Sequence, residues 1–328
     1  MQNRDASADI LKCISIFGVV FIHGNGLLSG DTQFGKCFES LFRFCVPVFI
    51  VFWSFFFEVS LQKGKSLYPY SKAKLTHLFI VFFIWSAVYF FLTEDWFKIT
   101  FVKAITKYWL GYGWAGQYFF IILFQLIVFF FVLRKIYDHK HLLYLTITCS
   151  IIIFVIYGYW YHVMPTFIKS LGDRPVVFWI VFAILGIHLA RNPNFKGHWV
   201  CCLGVILIPL EFWFLNANRF EHSAYITPAV LISSSLLIYG FVRLPIRLDA
   251  NSFYGRSVKY VGQNTMTIFV MNPLVITLLE PFTKPLRIIK GTEFFELSLA
   301  FVSAILVCFI CLVASFLINH SKLKGIIN

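Results

Sequence analysis

Charge is what this chain has least of. Asp, Glu, Lys and Arg together make up 13% of 328 residues, about half the share of an ordinary soluble domain. With a mean hydropathy of +0.79, a single water-soluble globule is excluded. Heptad arrays, low-complexity tracts and a soluble appendage are also lacking, so neither a coiled coil nor a second domain is implied. The eight cysteines suggest no disulfide framework, since most fall in apolar runs where they act as small hydrophobes. Cys308 and Cys311 form a CxxC, but no His or second Cys pair stands nearby, and no metal site is expected. No small-residue cleavage site follows the first apolar run, which is therefore read as a span rather than a cleaved leader.

What is present in excess is apolar and aromatic: 59% hydrophobic residues and 41 Phe. Ten apolar segments have lengths compatible with spanning helices, at 10–29, 40–58, 76–93, 116–134, 142–160, 175–190, 198–215, 223–243, 262–281 and 297–319. The sixth is short. The expected fold is an all-α polytopic membrane bundle of about ten helices, a single domain over 1–328, because an open sheet edge has no partner in lipid. With the amino terminus in the cytoplasm, 17 of the 28 basic residues and 5 of the 15 acids fall on the inner side. That asymmetry predicts both termini inside. It accounts for the net charge of +13 through topology and anionic lipid, with no nucleic acid needed.

The most informative stretch is DILKCISIFGVVFIH, from Asp9 to His23. Lys12 and His23 are 11 positions apart, about three helical turns, and so share one face roughly 16 Å apart along the axis. Asp9 lies on nearly the same face. Ionisable groups in a membrane helix usually face a bundle interior or a wet cavity. His23 is either a general base for a hydroxyl or a hydrogen-bonded tie between helices. Lys12 either snorkels to the inner surface or meets a phosphate arriving from the cytoplasm. Asp9 pairs with Lys12 or sits in the favourable first turn. Glu211, inside the seventh segment, needs a partner.

These residues carry a resemblance. D-x-L-[RK]-x10-H opening the first span is similar to the membrane acyltransferase-3 family, with Lys12 and His23 at the signature spacing. FRFCVPVFIVFWSFFF at 42–57 resembles the family's second-span stretch, matching Arg43 and Pro47. Lys72, Lys74 and His77, followed by FIVFFIW at 79–85, resemble its basic cluster and third span. WAGQYFF at 114–120, GIHLARN at 186–192 and NTMTIFVMNPLV at 264–275 resemble later motifs. There are departures: Lys12 where Arg is commoner, His77 for a second Arg, Val81 for Pro, Trp53-Ser54 for Ser-Gly, and Asn272 for a late His. Asn272 can hydrogen-bond but cannot shuttle a proton.

The resemblance implies a membrane O-acyltransferase of a bacterial inner membrane. It would move an acyl group, in the first instance acetyl, from cytoplasmic acyl-CoA to a hydroxyl of a cell-surface glycan or lipid-linked saccharide. Acyl-CoA is expected as co-substrate with no bound cofactor; membrane lipids, and a second copy of the chain as a homodimer, complete the expected partners. His23, Lys12 and Asp9 are the expected catalytic group. Arg43, Asn25, Lys72, Lys74, Gln117, Tyr118 and Asn272 are expected to contact substrate. Five of them have a plainer alternative: a helix-pairing Arg43, ordinary positive-inside charge at Lys72 and Lys74, a loop-starting Asn25, and an interfacial Tyr118. The alternative functions are a carrier for a lipid-linked saccharide and a non-catalytic acyl-CoA-binding relative, the latter prompted by Asn272.

Overall fold

The computed structural model describes residues 6–29, 32–95, 99–242, 244, 246, 248–249, 251–285 and 291–321. Fourteen α-helices are described: α1 (Ser7–Gly24), α2 (Gln33–Ser40), α3 (Cys45–Gln62), α4 (Leu67–Thr93), α5 (Phe101–Trp109), α6 (Tyr118–Asp138), α7 (Lys140–Tyr159), α8 (Thr166–Leu171), α9 (Ile180–Arg191), α10 (Leu207–Ala217), α11 (Pro228–Phe241), α12 (Phe253–Gln263), α13 (Thr265–Thr283) and α14 (Glu293–His320). No strand occurs among the described residues. Eight helical stretches are long and apolar enough to cross a membrane. Two shorter apolar helices, α9 and α11, occupy the sixth and eighth expected positions. All ten expected segments are thus helical, and the protein is an all-α polytopic chain. At 12 and 14 residues, α9 and α11 fall short of the roughly 20 that a full crossing needs. The second segment starts earlier than expected: α2 and a 3₁₀ turn at Leu41–Phe44 lead into α3.

Local signals set the helix ends. Thr32, Thr100, Thr227 and Thr292 each cap a helix amino terminus by accepting a backbone N–H. At α11 the cap is followed by Pro228 at the first position. The carboxylate of Glu211, on α10, accepts the Ala229 N–H at 3.0 Å and the Tyr159 hydroxyl at 3.0 Å. Glu211 thereby gains its partners and reads as structural.

The chain divides into two compact units, unit 1 of 1–11, 43–75 and 122–249, and unit 2 of 12–42, 76–121 and 250–328. In unit 1, α3 packs on α9, and α11 packs against the 3₁₀ turn Trp199–Ile206. Gly186 makes the α3–α9 crossing close. A Cβ there would stand 2.4 Å from the Val51 carbonyl oxygen and 2.8 Å from Ser54 Cβ. The Ser54 hydroxyl donates across the crossing to the Ala183 carbonyl at 2.6 Å, as small residues do in membrane helix pairs. At one end of this unit the fully buried Glu58 carboxylate pairs with Arg191 at 2.7 Å and Arg134 at 3.0 Å. Arg191 also pairs with Asp138 and lies over the Tyr137 ring. Arg191 lies in the last turn of α9, where a cation offsets the helix dipole.

In unit 2, α13 packs on α14, and α14 on α2. Phe17, Phe21, Phe38, Phe42 and Phe301 form one ring cluster, with centroids 5.1 to 6.5 Å apart. Phe17 and Phe21 lie on α1 roughly opposite Lys12 and His23, at 100° per residue. That cluster fixes one face of α1 and turns the polar stripe the other way.

Candidate active site

Lys12 and His23 both ride on α1, as their spacing requires. Lys12 and His23 are half-buried, and Asp9 is buried. His23 Nδ1 lies 2.7 Å from Oδ1 of Asn272, which is fully buried on α13. Two residues separated by 249 positions are thereby brought into direct contact.

A second element closes on the imidazole from the segment between α4 and α6. There α5 is amphipathic. Ala104 and Tyr108 are buried, while Phe101, Val102, Ile105 and Trp109 are exposed. The Trp109 ring reaches Phe79, well down α4, at 6.3 Å. Trp114 is buried and stacks on Tyr89 at 4.8 Å and 11°; its edge meets Phe269 of α13. Gly116 follows at φ +88°, and a Cβ there would stand 2.8 Å from the Phe269 ring and 3.6 Å from His23 Cε1. The segment thus turns back into the helices of unit 2 and lays its backbone beside the histidine. Non-helical backbone at such depth persists only where protein buries it or where it lines a wet cavity.

Gln117 holds this loop. Its amide is fully buried; Oε1 accepts the Gly113 N–H at 2.6 Å. Nε2 donates to the Ser86 hydroxyl at 2.8 Å and to the Tyr108 carbonyl at 3.0 Å. Tyr108 in turn donates to Glu94 at 3.0 Å, and Lys107 pairs with the same carboxylate. Gln117 therefore shapes the site through the loop. Tyr118, half-buried, opens α6 immediately after it. Asn25, two residues beyond His23, directs its amide N–H to Glu39 of α2 at 3.1 Å, and Ser29 donates to its backbone carbonyl. Asn25 ties the turn after α1 to α2.

Of the expected site residues, unit 2 holds Lys12, His23, Asn25, Gln117, Tyr118 and Asn272. Asp9, Arg43, Lys72 and Lys74 belong to unit 1. Arg43 sits at the turn before α3 with its guanidinium 4.9 Å over the Tyr225 ring. Asp173, in the loop before α9, accepts the Ser223 hydroxyl at 2.9 Å. Desolvation raises its carboxyl above the usual range; Ser223, Arg43 and Arg174 oppose the rise. Lys72 and Lys74 are exposed, and Lys74 lies 5.7 Å from the Tyr70 ring centre. Among the described residues no group of three His, Cys, Asp or Glu is placed to hold a metal ion.

Gly116, Trp114 and Tyr89 are not among the expected site residues, although the first two lie within WAGQYFF at 114–120. The turn-prone WAG before Gln117 was the available signal for the first two; the Tyr89 contact had none.

A histidine beside a neutral amide, with a buried loop closing over it, can take a proton from a hydroxyl. No curated protein and no solved structure matches the chain. A family model described as "Acyltransferase domain", that of the acyltransferase-3 family, matches residues 5–318. This chain belongs to the acyltransferase-3 family and is a membrane acyltransferase.

Proposed function

We propose that the protein moves an acyl group, acetyl in the first instance, from cytoplasmic acyl-CoA to a hydroxyl of a cell-surface glycan or its lipid-linked precursor. The setting is a bacterial inner membrane with both chain termini inside. The observation that carries this reading is His23, half-buried and in contact with a neutral amide. Charge partition along the sequence supports the orientation.

In this reading His23 removes the proton from the acceptor hydroxyl as its oxygen attacks the thioester carbonyl carbon. The carbon–sulfur bond then breaks, the CoA thiolate leaves, and the imidazolium returns the proton to sulfur. Lys12, roughly 16 Å along α1 on the same face, steadies the donor phosphates as a point charge, with Asp9 setting the local field. Arg43, Lys72 and Lys74 offer further cations for donor or acceptor. Asn25, Gln117 and Tyr118 shape the acceptor side.

The test uses purified protein in lipid with labelled acetyl-CoA, and lipid extract plus glycan from the source cells. CoA release and label transfer are followed for wild type and His23→Ala. Transfer in the wild type that disappears in the variant supports the assignment. CoA release absent from both, with acceptor shown to be present, would replace it with the carrier reading or the non-catalytic acyl-CoA-binding one.

A further inference from the structure

Asn272 is followed by Pro273, inside α13. Proline has no N–H, so the carbonyl four residues back, that of Phe269, loses its helical donor. Asn272 Nδ2 donates to that carbonyl at 2.7 Å and to the Ile268 carbonyl at 3.1 Å. Tyr89 donates to the neighbouring Val270 carbonyl at 2.8 Å, which secures the same stretch of helix. Both N–H groups of the Asn272 amide are therefore engaged. Turned over, the amide would set Oδ1 against two carbonyl oxygens. Its Oδ1 must face His23.

A carbonyl oxygen only accepts, so at 2.7 Å the donor is His23 Nδ1–H. A neutral imidazole carries one N–H, and its lone pair then falls on Nε2. We propose that Asn272 is a positioning residue that holds neutral His23 in its Nδ1–H form, with Pro273 fixing the amide, so that Nε2 is the single base of the site. This rests on reading His23 as the base for acyl transfer. An asparagine also adds no second ionisation, which a histidine at the same place would.

The charged and titratable groups on the surrounding elements are engaged elsewhere or lie further off. Glu39 of α2 accepts from Asn25. Glu94 is shared by Lys107 and Tyr108. Glu296 of α14 accepts the Gly291 N–H. Tyr89 of α4 donates to the Val270 carbonyl. Glu280 stands about two turns beyond Asn272 on α13, and Lys12 and Cys13 about three turns from His23 on α1.

The test reads the tautomer directly, by solid-state nuclear magnetic resonance of ¹⁵N-histidine-labelled protein in lipid bilayers. The chain has nine histidines, and the signals lost in His23→Gln are those of His23. Wild type should show a protonated Nδ1 and a bare Nε2 at neutral pH. Asn272→Leu should show both tautomers and a kcat lower by about tenfold to a hundredfold, with KM for acyl-CoA little changed. Asn272→His should regain part of the rate and add a second ionisation to the pH–rate profile. Pro273→Ala leaves Asn272 in place but gives Phe269 its donor back, and should loosen the tautomer with a smaller loss of rate. A proton on Nε2 in the wild type would overturn the proposal, as would an unchanged tautomer in both Asn272→Leu and Pro273→Ala. The tautomer is read without turnover. A missing acyl transfer therefore counts against the function, and a wrong tautomer against the positioning.

Discussion

Unit 1 buries a carboxylate and surrounds it with guanidinium groups; unit 2 half-buries a histidine and meets it with a neutral amide. Glu58 is fully buried between Arg134 and Arg191, and each charge there is answered by another. Removing Glu58 takes away the carboxylate that Arg134 and Arg191 share and leaves Asp138 beside Arg191. His23 is met instead by Asn272 Oδ1, which orients the ring without adding charge. The difference separates two uses of polar groups inside an apolar fold. A compensated ion cluster ties helix ends together. A neutral, directional hydrogen bond leaves a base able to take a proton and give it back.

Substitutions can break this contrast, beginning with the largest effect. His23→Gln should lower label transfer by about 10²–10⁴, with the thermal unfolding midpoint in detergent little moved. Glu58→Ala should act the other way. It should cost about 3–5 kcal/mol of stability, seen in the unfolding midpoint, while transfer per folded molecule is retained. Between these lies Gly116→Ala. At φ +88° with Phe269 2.8 Å from the new Cβ, a non-glycine residue costs about 1–3 kcal/mol. The ring must also shift beside His23, so turnover and stability should fall together. Gln117→Leu leaves the Gly113 N–H and its neighbours without their partner. A loss of about 1–3 kcal/mol is expected, with proteolysis of the 110–117 loop as a sensitive readout.

The smallest effect sharpens the contrast by pH. Asp173 in unit 1 has its carboxyl raised, chiefly by desolvation. A group raised on folding binds its proton more tightly in the folded state. Its contribution is favourable below the unfolded value and is lost as pH climbs through the folded one. Asp173→Asn should therefore flatten the decline in stability as pH rises from about 3.8, the ordinary value. A variant that tracks the wild-type curve would remove Asp173 from the account.

Much of the fold was legible because lipid leaves few options. Apolar length alone located ten segments, all of them helical in the structure. Length misled at the eighth, where 223–243 includes the capped loop before Pro228 and the helix itself is 14 residues long. The shared face of Lys12 and His23 followed from helical period, and Phe17 and Phe21 show why that face is turned as it is. The Asn272 contact was out of reach, since pairing across 249 positions leaves no local trace. Asn272 stood out as a departure from a resembled motif and as an expected substrate contact. The structure shows it touching His23. The loop between α4 and α6 carries no local sign of its burial, since α5 is short and bears Lys103 and Lys107. Gln117 was expected to face the acceptor; nothing in WAGQYFF distinguishes a side chain aimed at a ligand from one folded back on its own loop.

The most direct measurement is label transfer from acetyl-CoA per folded molecule, made side by side for wild type, His23→Gln and Glu58→Gln in lipid. His23→Gln is expected to keep its folded fraction and lose transfer, while Glu58→Gln loses folded fraction and keeps transfer per molecule. Turnover by His23→Gln at the wild-type rate would contradict this.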